Sequence, residues 1–215
     1  MHNRFVVSWS GGKDSCFATI LAIEQGLQPA VLVNVLNEEG QISRSHGIPI
    51  AILKKQAEAI GLPLHLVSSS WSDYQPNFIN ALTYLKNEYK LDHAVFGDID
   101  LQAHRDWEEM VCQQAGLSAR LPLWKMERKA LVLQMLEGGL ETMIVSCNKT
   151  MGEAYLGKIL TPQLVQELEE KGIDPCGENG EFHTLVTNCS LFKSPIQVIV
   201  TGTQQHNDYW FASLQ

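Results

Sequence analysis

The chain has 215 residues, enough to bury one substantial hydrophobic core. Hydrophobic residues make up 45% of it and charged residues 19%, as in ordinary globular domains, and no apolar run approaches the roughly 18 residues of a membrane span. The formal net charge of -8 argues against a large nucleic-acid-binding surface, because such a surface must neutralise phosphates.

The cysteines and the first residues indicate where the protein works. The five cysteines are widely spaced and form no Cys-x-x-Cys pair, so the sequence predicts neither a disulfide framework nor a zinc site. The first residues lead directly into an apolar run and lack the pattern of a signal peptide. We therefore expect a cytoplasmic protein with reduced cysteines.

Short β-rich runs alternate with segments of helical length in the first part of the chain. The runs are residues 4–8, 30–36, 64–68 and 93–96. Two intervening segments, residues 50–60 and 78–89, carry apolar residues at three- and four-residue spacing, so we expect both helices to pack on a sheet. The alternation predicts an α/β domain with a parallel sheet and crossover helices.

The second part of the chain has a different pattern. Helices are predicted near residues 101–115 and 128–137, a strand in "LETMIVSC", and two strands in the tail. In "TPQLVQELEEKG", Thr161 is a helix N-cap, Pro162 the first helical residue and Gly172 the residue past the end. We expect a nucleotide-binding domain over residues 1–97 and a smaller C-terminal α+β lobe over residues 98–215.

Residues 10–15, "SGGKDS", separate the first strand from the first helix, and we call them the phosphate loop. Glycines let successive N–H groups point at an anion, and the helix N-terminus adds partial positive charge. The lysine and the hydroxyls supply further donors. The spacing fits neither the Walker loop nor the dinucleotide turn. The alternative to an anion-binding loop is a glycine turn that only joins the strand to the helix.

The phosphate loop resembles the PP-loop of the N-type ATP pyrophosphatases, which cut ATP between the α and β phosphates. Three further stretches, "VFGDID", "GLSARLPLW" and "PCGENGEFHTLVTNCSLFKSPIQV", resemble the diphthine-ammonia ligase family. The matches run from about Val6 to Val198. This resemblance implies a doubly wound parallel sheet of the adenine nucleotide alpha hydrolase-like (HUP) type and an AMP- and pyrophosphate-forming amide ligase.

The resemblance also implies the nucleotide site. Its ATP-binding residues would be Ser10, Gly11, Gly12, Lys13, Asp14, Ser15, Val33, Asn34, His46, Gly97 and Asp98. Ligands of such sheets bind at the carboxyl ends of the strands, where the strand order reverses. Lys13 would stabilise the leaving pyrophosphate, and Asp14 and Asp98 would hold Mg²⁺. The alternatives are a helix N-cap for Asp98 and a surface or capping role for His46.

The same resemblance implies an acceptor pocket. It would be lined by Arg105, Cys176, Gly177, Glu178, Asn179, Gly180, Glu181, Phe182, His183 and Thr184. A substrate carboxylate, in this family that of diphthine on elongation factor 2, would attack ATP, and ammonia would then open the mixed anhydride. The implied catalytic residues are Lys13, Asp14, Glu178, Glu181 and His183, the last three to steer ammonia or take its proton. The alternative for residues 176–184, which we call the acceptor segment, is an exposed polar turn.

The sequence departs from the family pattern where the acceptor would bind. The usual Gly-Glu-Gly-Gly-Glu-Tyr-Glu-Thr has Asn179 in place of a glycine and His183 in place of a glutamate. The residues after Gly97 also differ, and only Arg105 and Glu109 keep the pattern. The acceptor is therefore left open between diphthine, another carboxylate and a nucleobase.

Two other functions remain open on the sequence alone. One is a tRNA- or base-modifying enzyme with a PP-loop, which Cys176 would favour as a reactive thiol. The other is a sensor that holds ATP or AMP without turnover. The expected partners are ATP, ammonia from solution or from another protein, and a carboxylate acceptor that a protein could carry; a homodimer is a further open alternative.

Overall fold

The computed structural model describes residues 3–215, and its first sheet is parallel. The five strands are β1 (Arg4–Ser8), β2 (Gln28–Leu36), β3 (Leu64–Ser68), β4 (His93–Val95) and β5 (Ser118–Arg120). They are arranged in the order β3-β2-β1-β4-β5, with every pairing parallel. The strand order reverses beside β1, so the expected α/β class with a switch point next to the phosphate loop is confirmed.

Six α-helices connect the strands or follow them in the described part of the chain. They are α1 (Lys13–Glu24), α2 (Ile50–Ile60), α3 (Tyr74–Tyr89), α4 (Gln102–Ala115), α5 (Arg128–Glu137) and α6 (Pro162–Glu170). Helices α3 and α4 share a hydrophobic core with the parallel sheet, in which Phe78, Leu82 and Val111 pack near Val31 and Val33. The periodic spacing of α3 therefore places its apolar face on the sheet as predicted.

The second sheet is antiparallel and comes from the C-terminal part of the chain. Its strands are β6 (Glu141–Asn148), β7 (Phe182–Asn188), β8 (Val200–His206) and β9 (Tyr209–Leu214), in the order β7-β6-β9-β8. A short 3-10 helix covers Glu153–Tyr155. The predicted strand in "LETMIVSC" and the two strands of the tail are confirmed, and with α5 and α6 they form the expected C-terminal α+β lobe.

Contacts within the chain define two compact units. The first consists of residues 3–10, 14–44 and 61–125, and the second of residues 11–13, 45–60 and 126–215. Helix α2 is grouped with the second unit, where the Gln56 amide on its buried face bonds to β7. The domain boundary after residue 97 stays a prediction.

The cysteines and the helices agree with the composition. All five cysteines are free and buried. None of the helices within residues 3–215 combines the length and the apolar composition that a membrane span requires.

Helix α6 offers a test of the link between sequence and local structure. The Thr161 hydroxyl accepts the Leu164 N–H at 3.1 Å, and Pro162 opens the helix. We expect Thr161→Ala to lower the free energy of unfolding by about 1 kcal/mol in urea titrations, because it leaves that N–H uncapped. Thr161→Ser keeps the hydroxyl and serves as the control. Equal losses in the two variants would show that the cap contributes nothing.

Candidate active site

The phosphate loop begins in the first unit, where hydrogen bonds with β2 hold the residue directly ahead of it. The Ser10 and Ser15 hydroxyls lie 3.0 Å apart, and the Ser15 hydroxyl also accepts the Ser10 N–H at 3.3 Å. Ahead of the loop, Trp9 donates its N–H to Val33 O at 2.8 Å, and the Asn34 amide donates to Trp9 O at 2.7 Å. Val33 and Asn34, predicted to flank adenine, thus hold the backbone directly before the loop.

Gly97 brings the end of β4 against the start of α1. A Cβ atom at Gly97 would lie 2.7 Å from both the Asp14 carbonyl carbon and the Ser15 nitrogen. Real Cβ contacts of that length do not occur, so only glycine permits this approach. The first unit therefore brings Gly97, and with it the backbone of Asp98, next to Asp14, as predicted for the carboxyl ends of β1 and β4.

Asp98 belongs to a small polar cluster with α4. Its Oδ1 lies 2.6 Å from His104 Nδ1, and its carboxylate also forms a hydrogen bond with Glu108. Glu108 is only 3% exposed, and burial together with this hydrogen bond and the charges of Asp98 and Glu109 raises its pKa to about 11. Its protonated carboxyl group therefore donates to Asp98 at neutral pH.

The N-cap alternative for Asp98 is wrong. Leu101 occupies the N-cap position of α4 and no side-chain cap bond forms there. Within residues 3–215, no group of three or more His, Cys, Asp or Glu side chains is arranged to hold a metal ion. The assignment of Asp14 and Asp98 as Mg²⁺ ligands stays a prediction; two carboxylates are the number this ion usually takes from a protein, with phosphate oxygens and water as its other ligands.

The middle of the phosphate loop belongs to the second unit and lies along β7. The Val186 N–H donates to Gly11 O at 2.9 Å, and the Lys13 N–H donates to the Thr184 hydroxyl at 3.1 Å. The Lys13 side chain is 2% exposed; its ammonium group donates to Cys176 O at 2.5 Å and lies 5.6 Å from the centre of the Phe182 ring. The second unit therefore brings Lys13 together with the acceptor segment.

Two histidines lie beside this part of the loop. The His46 and His183 rings are 4.4 Å apart, and a Cβ atom at Gly12 would lie 2.8 Å from His46 Nε2. Burial, the neighbouring His183 and the Lys13 charge hold the pKa of His46 well below 6.5. Burial and Lys13 lower the pKa of His183 to about 4. Both rings are therefore neutral at pH 7, and His46 is half-buried beside the loop.

Carboxylate side chains stabilise the acceptor segment by accepting hydrogen bonds from its backbone. Asp174 accepts the N–H groups of Cys176 and Glu178, each at 3.0 Å, and its carboxylate pairs with Arg128 at 2.5 Å. Glu181 accepts the N–H of Asn179 at 3.1 Å and that of Asp174 at 3.3 Å. The segment is consequently a folded loop with a partly buried backbone, not the exposed polar turn of the alternative reading.

Two of the predicted substrate-binding residues, Cys176 and Arg105, contact other groups of the protein. The Cys176 thiol is 1% exposed and donates to Arg128 O at 3.1 Å. Arg105 lies on α4 in the first unit, where it forms an ion pair with Glu109 at 2.7 Å and stacks over Trp124 at 5.0 Å. Both side chains therefore have partners within the protein.

The sequence reading missed three polar residues. His104 and Glu108 are four residues apart on one face of α4, and that spacing next to Asp98 was the signal that could have found them. Gln56 interrupts the apolar stripe of α2, yet it is fully buried. A polar residue at a core position of a helix indicates a required hydrogen bond.

Comparison with known families decides the classification. The model of the diphthamide synthase N-terminal domain matches residues 3–119, and the model of the diphthamide synthase C-terminal domain matches residues 127–214. The chain belongs to the diphthamide synthase family. The resemblance seen in the sequence is therefore confirmed, and with it the expectation of a ligase.

Relatives of the family extend over nearly the whole chain. The diphthine-ammonia ligase of Danio rerio is 30% identical, covering 97% of this chain and 91% of its own length. The human diphthine-ammonia ligase is 26% identical, covering 94% of this chain and 85% of its own. A Methanocaldococcus jannaschii structure described as a predicted subunit of tRNA methyltransferase matches 90% of the chain at 16% identity, with a TM-score of 0.46.

The close approach at Gly97 yields a prediction for this family member. We expect Gly97→Ala to lower the free energy of unfolding by about 1–3 kcal/mol in urea titrations, because the new methyl group overlaps the backbone of Asp14 and Ser15. The control is Gly202→Ala, since a Cβ atom there meets nothing closer than the Ser213 hydroxyl at 4.0 Å. Equal stability of the two variants would contradict the crowding.

The lowered pKa of His183 predicts a pH-dependent stability. The unfolded chain binds this proton near pH 6.5, whereas the folded protein binds it only near pH 4. The unfolded state holds more protons between these values, so the free energy of unfolding falls as the pH is lowered through them. We expect His183→Asn to make the decline shallower, by at most about 1.4 kcal/mol per pH unit, in urea titrations across this window.

The matched control is His206→Asn, which removes an exposed histidine of β8. The slope of the free energy of unfolding against pH is measured for both variants and for the unmodified protein. If His183→Asn leaves the slope unchanged, the folded protein does not hold this imidazole neutral.

Proposed function

We propose that this member of the diphthamide synthase family uses ATP to adenylate a substrate carboxylate and then transfers ammonia to it, with AMP and pyrophosphate as products. The observation that carries the proposal is the position of Lys13. This cation begins α1 in a glycine-containing phosphate loop, and it also bonds to Cys176 of the acceptor segment. A residue placed in this way can act on phosphate and acceptor chemistry together.

The phosphate loop supplies the groups that ATP requires. Its N–H groups, the N-terminus of α1 and the hydroxyls of Ser10 and Ser15 suit phosphate oxygens. Lys13 would move from Cys176 O to the departing pyrophosphate, since the charge of a phosphate exceeds the partial charge of a carbonyl. Mg²⁺ held by Asp14 and Asp98 would spread the negative charge of the phosphates.

The proposed chemistry has two steps. A carboxylate oxygen of the acceptor attacks the α-phosphorus, the bond to the bridging oxygen of the β-phosphate breaks, and pyrophosphate leaves. Ammonia then attacks the carbonyl carbon of the acyl-adenylate and loses a proton, and the carbon–oxygen bond to AMP breaks to give the amide. The protein mainly positions the reactants and stabilises charge.

The two histidines suit the second step. His183 and His46 are neutral at pH 7, so each imidazole offers one nitrogen as a hydrogen-bond acceptor. With a pKa of about 4, His183 is a weak base, so we propose that it orients ammonia and does not store its proton. We keep Glu178 and Glu181 as the candidates for the proton transfer; Glu181 also accepts loop N–H groups.

Diphthine on elongation factor 2 is the acceptor that we propose to test first, because the relatives are diphthine-ammonia ligases. Sulfur transfer to a nucleic-acid base fits less well. The only cysteine of the acceptor segment is buried and donates its thiol hydrogen to Arg128 O, whereas a sulfur carrier needs an accessible thiolate.

The experiment combines the purified protein with α-labelled ATP, Mg²⁺, ammonium and elongation factor 2 that carries diphthine. We expect labelled AMP, and we expect mass spectrometry to show that the carboxyl group of the factor has become an amide. Lys13→Ala should lower the rate of AMP formation by about 10²- to 10³-fold, as expected for loss of a group that stabilises developing charge. Lys54→Ala, which removes an exposed lysine of α2, is the matched control.

The products separate the possible outcomes. AMP that forms with a cell extract but not with the factor would keep the ligase and replace diphthine as acceptor. ADP as the labelled product, or no turnover with either source, would contradict the adenylation chemistry and favour a nucleotide-binding sensor.

A further inference from the structure

Gln56 is a buried amide that no step of the proposed chemistry uses. It lies on α2 between the buried residues Leu53 and Ala57 and has an exposed fraction of 0%. An amide at such a position loses its hydrogen bonds to water on folding, so it is retained where the protein replaces them. Its bonding partners therefore show what it does.

The Gln56 amide nitrogen bonds to the phosphate loop and to β7 together. It donates to Gly11 O at 2.9 Å and to Val186 O at 2.8 Å. The Val186 N–H also donates to Gly11 O, at 2.9 Å. One amide, one residue of the loop and one residue of β7 thus form a closed, buried set of three hydrogen bonds.

A second contact aligns the loop with the strand. Two residues after Gly11, the Lys13 N–H donates to the Thr184 hydroxyl, and Thr184 lies two residues before Val186. The pairs Gly11–Val186 and Lys13–Thr184 run in opposite directions along the chain, as neighbouring antiparallel strands do. The phosphate loop consequently lies along β7, the edge strand of the antiparallel sheet, and β7 begins within the acceptor segment.

We propose that Gln56 is a positioning residue that couples the phosphate loop to β7. Nucleotide bound at Gly11–Lys13 restricts the motion of the loop. The hydrogen bonds of the Gln56 amide and the Val186 N–H then restrict the motion of β7. The acceptor segment, in which β7 begins, becomes more ordered as a result. Because coupling between two binding events is reciprocal, an acceptor held by the segment tightens nucleotide binding by the same factor.

Glutamine suits this position because one amide nitrogen offers two hydrogens to two carbonyls. Glutamate has nearly the same shape but, when ionised, donates no hydrogen, and methionine fills a similar volume without a donor. Gln56→Met therefore removes both hydrogen bonds, and Gln56→Glu removes at least one, because a carboxyl group carries at most one hydrogen. Gln113→Met makes the same change at an exposed position of α4 and is the matched control.

The test measures the binding of α,β-methylene ATP, an analogue that cannot be cleaved between its α and β phosphorus atoms. Calorimetry gives its Kd, and hydrogen exchange gives the protection of the amides of residues 176–188, with Val186 as the direct reporter. In the unmodified protein and in Gln113→Met, the analogue should slow exchange over these residues. In Gln56→Met and Gln56→Glu, we expect that protection to be lost and the Kd to rise about 10-fold, within the usual range of coupling between sites.

Two results would overturn the coupling. The first is that the analogue, bound to the unmodified protein, slows hydrogen exchange in residues 10–15 but not in residues 182–188. This measurement uses only the unmodified protein and so does not depend on the folding of a variant. The second is folded Gln56 variants, judged by circular dichroism, that keep both the protection and the Kd.

The inference rests on the proposed function for the identity of the ligand at the loop, but its test requires no turnover. If the analogue binds and β7 is protected while no amide forms, the coupling stands and the proposed reaction fails. If the analogue does not bind to the protein at all, both are overturned.

Discussion

The phosphate loop imposes the main constraint on this structure, because the carbonyl groups within it and directly ahead of it are buried and need hydrogen-bond donors. Asn34 donates to Trp9 O ahead of the loop, and Gln56 and the Val186 N–H donate to Gly11 O within it. A buried carbonyl without a donor costs about 1–3 kcal/mol, so these bonds decide whether the loop can hold its shape. The parallel sheet and β7 thus each supply part of the support for one short segment.

Much of the fold follows from local patterns, and the exceptions have physical causes. The alternation of β-rich runs with helical spacing predicted the parallel sheet, and Thr161, Pro162 and Gly172 marked α6 correctly. Strand β5 was missed because its three residues, Ser-Ala-Arg, carry no apolar signal and gain their order by pairing with β4. The grouping of α2 was missed because an apolar stripe shows that a face is buried and not which surface covers it.

The candidate site was predictable to the extent that it is local in sequence. The resemblance named the phosphate loop, the acceptor segment and Asp98, and the structure shows Lys13 in contact with Cys176. Glu108 and Gln56 could not be assigned in the same way, since their roles depend on partners ten and 130 residues away, at Asp98 and Val186. Similarly, the sequence makes Glu181 a candidate catalyst, and only the folded loop shows that it accepts backbone N–H groups.

The replacement of a glutamate by His183 has a consequence for the charge beside Lys13. A carboxylate at that position would neutralise the ammonium group, whereas burial and Lys13 itself keep the His183 and His46 rings neutral. The Lys13 side chain therefore lies near two uncharged rings within a partly buried cluster, where charge interacts more strongly than in water. An uncharged ring at position 183 thus leaves Lys13 better suited to contact an anion than a carboxylate at that position would.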